Sequence, residues 1–529
     1  MRYLLSRQAT VELEDAAEEA GCPRSELMQR AGAAVAKHAQ RLAKSGRIVV
    51  ICGSGNNGGD GWVAAKVLHK HHLQVEVVAS CGSDDLHGIA QEAAQAAIDA
   101  GVTYTCRPTD DELASRLKGA GLVVDAMLGT GFHGELREPY RTWCPIVSQC
   151  EAPVLSVDVP SGLYCDTGDS AWGAVRATAT MACIAVKPGM VGGAGGELCG
   201  KVFADDLGCY ELLGEDVFTL RSSGTELEPE DFKALVPLPS LDDNKYSRGK
   251  LLVVAGSSAY TGAPMMSSMA GARVGAGYVL LATPEPILPV MQQRLMSIPV
   301  RALPARGGVL DAHAAEKIVE LAGKSNAVVI GPGMGRTRGV IACVQALLKN
   351  CQAPLLIDAD GLYALSGLAD EAIARAEKRW PLVITPHYGE LSRLALGAGI
   401  ADCDELHRHA SDGNLPPLKY AKLAVQVARA YGACVVAKGG APLVTNGATT
   451  VFSDDGSAAL ATAGTGDVLA GIIGGLLAQK LDPVEASALG LHYGGLAGEI
   501  AAQERSAAGV IAEDVIDKLG AAILRTLDA

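Results

Sequence analysis

Short apolar runs that end in glycine or aspartate, each followed by a helix-like stretch, recur along the chain and constrain its fold more than any other feature. In the first part they are RIVVICG (47–53), VEVVAS (75–80), LVVDAML (122–128) and APVLSVDVP (152–160). Ahead of them, Leu13, Ala16, Ala17 and Ala20, then Leu27, Ala31, Ala34 and Val35, recur at three- and four-residue steps. That spacing predicts two helices, broken at Gly21-Cys22-Pro23. A second series runs KLLVVAGSS (250–258), GYVLLATPE (277–285), AVVIGPGMG (327–335), APLLIDADG (353–361), PLVITPH (381–387) and ACVVAKGG (433–440). It ends in a small-residue helix, GTGDVLAGIIGGLLAQ (464–479). Strands alternating with helices predict an α/β fold with parallel, doubly wound sheets covered on both faces. Between the series, residues 211–249 carry acidic residues, prolines and turn signals without a sustained period. The chain therefore divides near residue 220 into two α/β domains, 1–220 and 225–529, alike in architecture but not a fixed-period repeat.

Composition narrows the function classes. The 529 residues are enough for two large cores, and 49% apolar against 20% charged residues excludes disordered, collagenous and coiled-coil classes. Lys plus Arg number 45 against 59 Asp plus Glu, a net charge of −14, which argues against a broad basic face for nucleic acid. Any phosphate-bearing ligand must be held locally, by backbone amides, helix N-termini and a few placed cations. The 14 cysteines form no CxxC or CxxxC pair, so zinc, iron–sulfur and disulfide frameworks give way to reduced thiols in a cytoplasmic protein. The opening MRYLLSRQATVELEDAAEEA lacks the apolar core of a secretion signal, and the apolar run at 468–478 is too short and glycine-broken to span a bilayer. The expectation is a soluble protein that meets neither membrane nor nucleic acid.

Residues 53–61, GSGNNGGDG, lie directly after the first strand and before a helix starting near Trp62. Glycine there permits positive φ, and successive N–H groups at a helix start suit a phosphate; a plain tight turn is the other reading. It is neither GxxxxGK[ST] nor a clean GxGxxG. Asp125 opens DAMLGTGFHGE and Asp158 opens DVPSGL, both where strands run into loops. Ligands of open α/β sheets bind outside those strand ends, which would bring Asn56, Asn57, Asp60, Asp125, Asp158 and Ser161 to one rim. Each aspartate read alone is as well a helix N-cap. The oxygen donors of this rim also suit a hard cation.

CGSGNNGGDGWVAA, DAMLGTGFHGELREPY, VLSVDVPSGLYCDTG and TATMACIAVKPGM together resemble the NAD(P)H-hydrate epimerase family, over roughly residues 1–215. The resemblance implies a Rossmann-like domain that interconverts the R and S forms of hydrated NADH and NADPH (NADHX and NADPHX) with potassium in its site. Carried over by motif, Asn56, Asn57, Gly58, Gly59 and Asp60, with Gly129, Thr130, Gly131, Phe132, His133, Gly134 and Glu135, hold the ligand. Asn57, Asp125 and Ser161 belong to the potassium environment, and Asp158 contacts the nicotinamide end. Inversion at a carbon that bears a hydroxyl beside the ring nitrogen needs a proton moved while an iminium-like cation lives briefly. A carboxylate does both jobs, so Asp158 is the expected acid/base.

In the second half, GTGD at 464–467 precedes an apolar helix. Gly464 and Gly466 let N–H groups converge on a transferring phosphoryl group, with Asp467 beside them to take a proton; an Asp-capped helix start is the bland reading. This arrangement resembles the ribokinase-like superfamily. KYSRGKLLVVAGSSAYTGAP, GPGMGR, LIDADGLYAL, ITPHYGELSRL and VVAKGGAPLVT add a resemblance to the ADP- or ATP-dependent NAD(P)H-hydrate dehydratase family, over roughly 225–525. By carry-over, Ala263, Gly335, His387 and Asp467 line the hydrated dinucleotide, while Lys438, Gly439, Gly440, Ala441, Pro442 and Gly466 hold ADP or ATP, with magnesium on its phosphates. His387 alone reads as an ordinary packed histidine. Lys438 reads as a phosphate or loop contact rather than half of a buried ion pair. The two resemblances imply a lyase and an isomerase in one chain, assembled as a homo-oligomer. A small-molecule kinase carried by GTGD, or a non-catalytic dinucleotide-binding half, is the alternative. ADP against ATP, and NADHX against NADPHX, stay open.

Overall fold

The computed structural model describes residues 1–43, 45–400 and 416–529, and they divide into two units. The first spans Arg2–Glu226. Its strands are β1 (Arg2–Leu4), β2 (Ile48–Cys52), β3 (Val75–Ala79), β4 (Thr103–Cys106), β5 (Leu122–Ala126), β6 (Val154–Val157), β7 (Ala179–Cys183), β8 (Lys201–Asp205) and β9 (Gly224–Glu226). Strands β2 to β8 form a parallel sheet in the order β4-β3-β2-β5-β6-β7-β8. Central strands read as continuous apolar runs because helices cover both faces: every residue of β2 and β5 is buried. The predicted N-terminal helices are present at Arg7–Glu19 and Arg24–Leu42. β1 instead pairs antiparallel with β9. The strand order reverses between β2 and β5, the place where open α/β sheets accept ligands.

The second unit begins at Leu227 and includes Lys419–Ala529. It carries β10 (Lys250–Val254), β11 (Tyr278–Pro284), β12 (Val300–Leu303), the small hairpin β13 (Ala305–Arg306) and β14 (Val309–Leu310), β15 (Ala327–Ile330), β16 (Leu355–Ile357), β17 (Leu382–Ile384), β18 (Cys434–Ala437), β19 (Leu443–Thr445) and β20 (Thr450–Phe452). β12-β11-β10-β15-β16-β17-β18 run parallel, and β19 and β20 add antiparallel pairs. Here the order reverses between β10 and β15, where the Gly256 amide donates to the Pro332 carbonyl at 2.9 Å. The helix Thr465–Ala478 is buried nearly all round and packs on the helix Gly262–Arg273. Its small residues permit that approach: a Cβ on Gly471 would stand 2.2 Å from the Ser267 carbonyl oxygen. Among the described residues no helix is long and apolar enough to cross a membrane.

Candidate active sites

In the first unit the turns after β2 and β5 meet at the order reversal. Gly53 donates to the Ala126 carbonyl at 2.9 Å, and a Cβ on Gly53 would lie 1.9 Å from the Met127 oxygen. The GSGNNGGDG stretch differs from its expected form. The helix runs from Asn56 to Lys70, so Asn56, Asn57, Gly58, Gly59 and Asp60 are its first turns rather than a loop before it. Its glycines serve close packing, not positive φ. A Cβ on Gly58 would fall 2.0 Å from the Gly53 oxygen, one on Gly59 2.6 Å from Met28 Cε, and one on Gly61 2.6 Å from Ala126 Cβ.

A cleft of roughly 1290 Å³ opens over this helix start. Asn56, Asn57 and Asp60 line it, as do Gly129, Thr130, Gly131, Phe132, His133, Gly134 and Glu135 from the turn after β5, and Asp158 from beyond β6. Gly58 and Gly59 lie buried beneath the cleft wall instead. The expected single rim is also corrected at Asp125 and Ser161, which are fully buried below the cleft floor. Asp125 sits inside β5 and accepts from Ser156 Oγ at 2.9 Å, the Ser161 N–H at 2.9 Å, Ser161 Oγ at 2.6 Å and the Met127 N–H at 3.3 Å. Burial pushes its carboxyl up, and these donors offset part of the push. Both amide atoms of Asn57, whose Oδ1 lies 3.3 Å from the Cβ position of Gly129, are buried without a hydrogen-bond partner.

Asp158 follows β6 with φ +66°, a left-handed conformation rare outside glycine. Its carboxylate pairs with Lys187, a fully buried lysine that the sequence reading gave no role although it lies in TATMACIAVKPGM. Burial is the largest influence and opposes the Lys187 charge, but the charge and hydrogen bond of Asp158, together with Cys183 and Cys165, offset it and hold the ammonium above its ordinary value. Neither Asp125 nor Asp158 is a helix cap. Asp60 faces the same cleft, and burial, then the charges of Asp158 and Glu14, push its carboxyl well above the usual carboxylate range.

In the second unit Gly464, at φ +95°, starts the helix of Asp467, which stands in its first turn. Met266 Sδ lies where a Cβ on Gly464 would intrude, at 2.7 Å, and Ser267 Oγ donates to the Asp467 carbonyl at 2.9 Å. Lys438, just past β18, reaches across to this start: its ammonium is 3.5 Å from the Cβ position of Gly466. It is not a free contact, as the sequence suggested. It pairs at 2.9 Å with Asp358, a 2% exposed carboxylate that also accepts from Thr385 Oγ1 at 2.6 Å. The signal for Asp358 was present in LIDADG, an aspartate at a strand end like Asp125, but its lysine lies 80 residues away. Burial first, then Asp358, push the Asp467 carboxyl from an ordinary 3.8 to about 7, with Lys438 pulling the other way.

The other expected residues sit on turns after strands of the same sheet or on the helix Gly262–Arg273. His387 precedes the helix Tyr388–Gly397 and bridges to Lys438 along the sheet edge. It is not packed in the core: 61% of its side chain is exposed, and Nδ1 accepts from the Gly389 N–H at 3.1 Å. Gly335 donates its N–H to Asp360 at 2.8 Å, and Ala263 Cβ sits 3.0 Å from the Cβ position of Gly333. Gly439 and Gly440 are exposed beside Lys438, Ala441 is half-buried, and Pro442 is buried with its carbonyl bonded to the Ser453 N–H.

Comparison with known proteins accounts for both halves. A family model described as NAD(P)H-hydrate dehydratase matches residues 251–520, and one described as YjeF-related protein N-terminus matches residues 24–189. The bifunctional NAD(P)H-hydrate repair enzyme Nnr of Salinibacter ruber is 35% identical, covering 95% of this chain and 92% of the relative. That of Coxiella burnetii is 33% identical, covering 98% and 99%. Among solved structures, the ADP/ATP-dependent NAD(P)H-hydrate dehydratase from Bacillus subtilis, co-crystallised with ATP and Mg2+, matches 57% of this chain and 99% of its own at 24% identity and a TM-score of 0.46. Matched along nearly its whole length by such relatives, and in each half by a family model, the chain belongs to the family of bifunctional NAD(P)H-hydrate repair enzymes.

Proposed function

We propose that the chain restores NADH and NADPH from their hydrates, the first unit interconverting the R and S forms and the second dehydrating the S form at the expense of ADP or ATP. Asp467 carries the proposal. It stands at the open first turn of a helix, with a lysine ammonium alongside and a carboxyl titrating at about 7, as a base for a hydroxyl should. As a carboxylate it takes the proton of the ring hydroxyl while that oxygen attacks the terminal phosphorus. The bond to the nucleotide breaks with its electron pair going to the departing AMP or ADP. The ring nitrogen's lone pair then expels phosphate, and loss of a proton from the neighbouring ring carbon restores the dihydronicotinamide. First-turn N–H groups and Lys438 would meet the phosphoryl charge. Asp360, which accepts from the Gly335 N–H and pairs with Arg336 near Asp467, offers a carboxylate to magnesium, which would supply charge neutralisation on the phosphates.

In the first unit the Asp158 carboxylate, ion-paired with Lys187 at rest, takes a proton from solvent and delivers it to the ring hydroxyl. The C–O bond breaks with its pair on oxygen, water leaves, and the ring nitrogen's lone pair forms the iminium. The resulting carboxylate steadies that cation and takes the proton back when water adds to the opposite face. Potassium fits beneath: the unpartnered Asn57 amide oxygen, Ser161 Oγ and Asp125 are the residues that would hold it. It would supply a fixed positive charge in a cleft walled by carboxylates.

Separated R and S hydrates, assayed by chromatography, test both assignments. Asp467→Asn should abolish dehydration of the S form and leave epimerisation intact, and Asp158→Ala should do the converse. Survival of either activity in its own variant contradicts that assignment. A stable phosphorylated product in place of free phosphate would make the second unit a small-molecule kinase.

A further inference from the structure

Lys187 lies four residues past Cys183, the last residue of β7, and none of its side chain reaches solvent. Burying an ammonium is costly unless it is paired and its remaining protons find acceptors. Here it pairs with Asp158 Oδ1 and donates to the Cys183 carbonyl at 2.7 Å. The Cys183 N–H donates to the same Oδ1 at 3.2 Å. Both donors land on one oxygen, and among the described residues no hydrogen bond is made to Oδ2. The Asp158 side chain keeps 14% exposure and lines the cleft, so Oδ2 is the oxygen left to meet a ligand.

Resting on Asp158 as the proton carrier, we propose that Lys187 is its positioning residue: it clamps Oδ1, aims Oδ2 at the hydroxyl-bearing carbon and compensates the carboxylate's charge. The other titratable groups facing Asp158 offer no such compensation. Glu14 and Asp60 are carboxyls on the two helices beside it, and burial keeps the Cys165 and Cys183 thiols protonated. Without the ammonium, Oδ1 keeps only the Cys183 N–H and Oδ2 loses its aim, so turnover falls while binding of the hydrate is kept.

The experiment measures kcat and KM for R-to-S conversion by the full-length enzyme for Lys187→Met, Lys187→Arg and Asp158→Asn. Dehydration of the S form and the melting temperature report on folding. The expected result is a kcat lowered about ten- to a hundredfold at an unchanged KM in Lys187→Met, and restored in Lys187→Arg. An unchanged kcat in Lys187→Met, or a loss that tracks the melting temperature and that Lys187→Arg does not restore, overturns the inference, because it marks a purely structural lysine. Should Lys187→Met fail to fold, Lys187→Gln gives the same kcat-against-KM readout. Epimerisation that survives in Asp158→Asn instead overturns the assignment of Asp158 itself.

Discussion

Replacing Asp467 with asparagine should destroy dehydration and at the same time make the folded protein more stable at alkaline pH. The carboxyl is pushed from an ordinary 3.8 to about 7, so ionising it in the folded state works against folding. At roughly 1.4 kcal/mol for each tenfold change in proton affinity, the cost has a ceiling of about 4 kcal/mol. Solvent screening at a half-buried residue reduces this to about 1–2 kcal/mol, a rise of roughly 2–8 °C in melting temperature for a unit of this size. The sign follows from proton binding. Between about pH 4 and 7 the folded state holds a proton that the unfolded state has lost, so the contribution of Asp467 to wild-type stability falls as pH climbs through that window and is flat above it. The variant lacks the term, so the gap is widest at pH 8 and shrinks to roughly a third at pH 5. Calorimetry of both proteins at the two pH values is the assay. Asparagine that is neutral or destabilising at pH 8, or a gap equal at pH 5 and pH 8, would refute the reasoning.

Other outcomes are as specific. Dehydration of the S form should lose about tenfold in kcat/KM for each pH unit below about 7, where Asp467 becomes protonated, and a flat profile from pH 5.5 to 8 contradicts its role as base. Gly58→Ala drives a Cβ to 2.0 Å from the Gly53 backbone oxygen, and should cost about 1–3 kcal/mol or more along with epimerase activity; unchanged melting and rate would contradict the packing account. Asn57→Ala should weaken the response of epimerisation to added potassium, measured as rate against potassium concentration, and an identical response curve would remove Asn57 from the ion's surroundings.

Much of this was legible in the chain because parallel strands buried on both faces write themselves as uninterrupted apolar runs, and the residue at each strand end is then conspicuous. Asp125 and Asp158 stand out that way, and Asp467 stands out by the GTGD spacing at a helix start. Geometry at short range was not. A helix beginning with Asn-Asn-Gly-Gly has no apolar face in its first turn, so its start near Trp62 was placed several residues late, and glycines needed for contact with Gly53, Met28 and Ala126 were read as glycines needed for φ. Strands such as β12 to β14, β19 and β20, at two to four residues each, are too short to show a period. Partners far apart in sequence were hidden altogether: neither Lys187 with Asp158 nor Lys438 with Asp358 is signalled by spacing.

Recovery of absorbance at the reduced-nicotinamide band, in a mixture of R and S hydrated NADH supplied with magnesium, potassium and ADP or ATP, tests two activities in one chain most directly. The account predicts complete recovery with one phosphate released for each NADH formed, and recovery that halts at the S fraction when Asp158 is replaced by alanine. Wild-type recovery that halts at the S fraction, or phosphate release without recovered NADH, would contradict it.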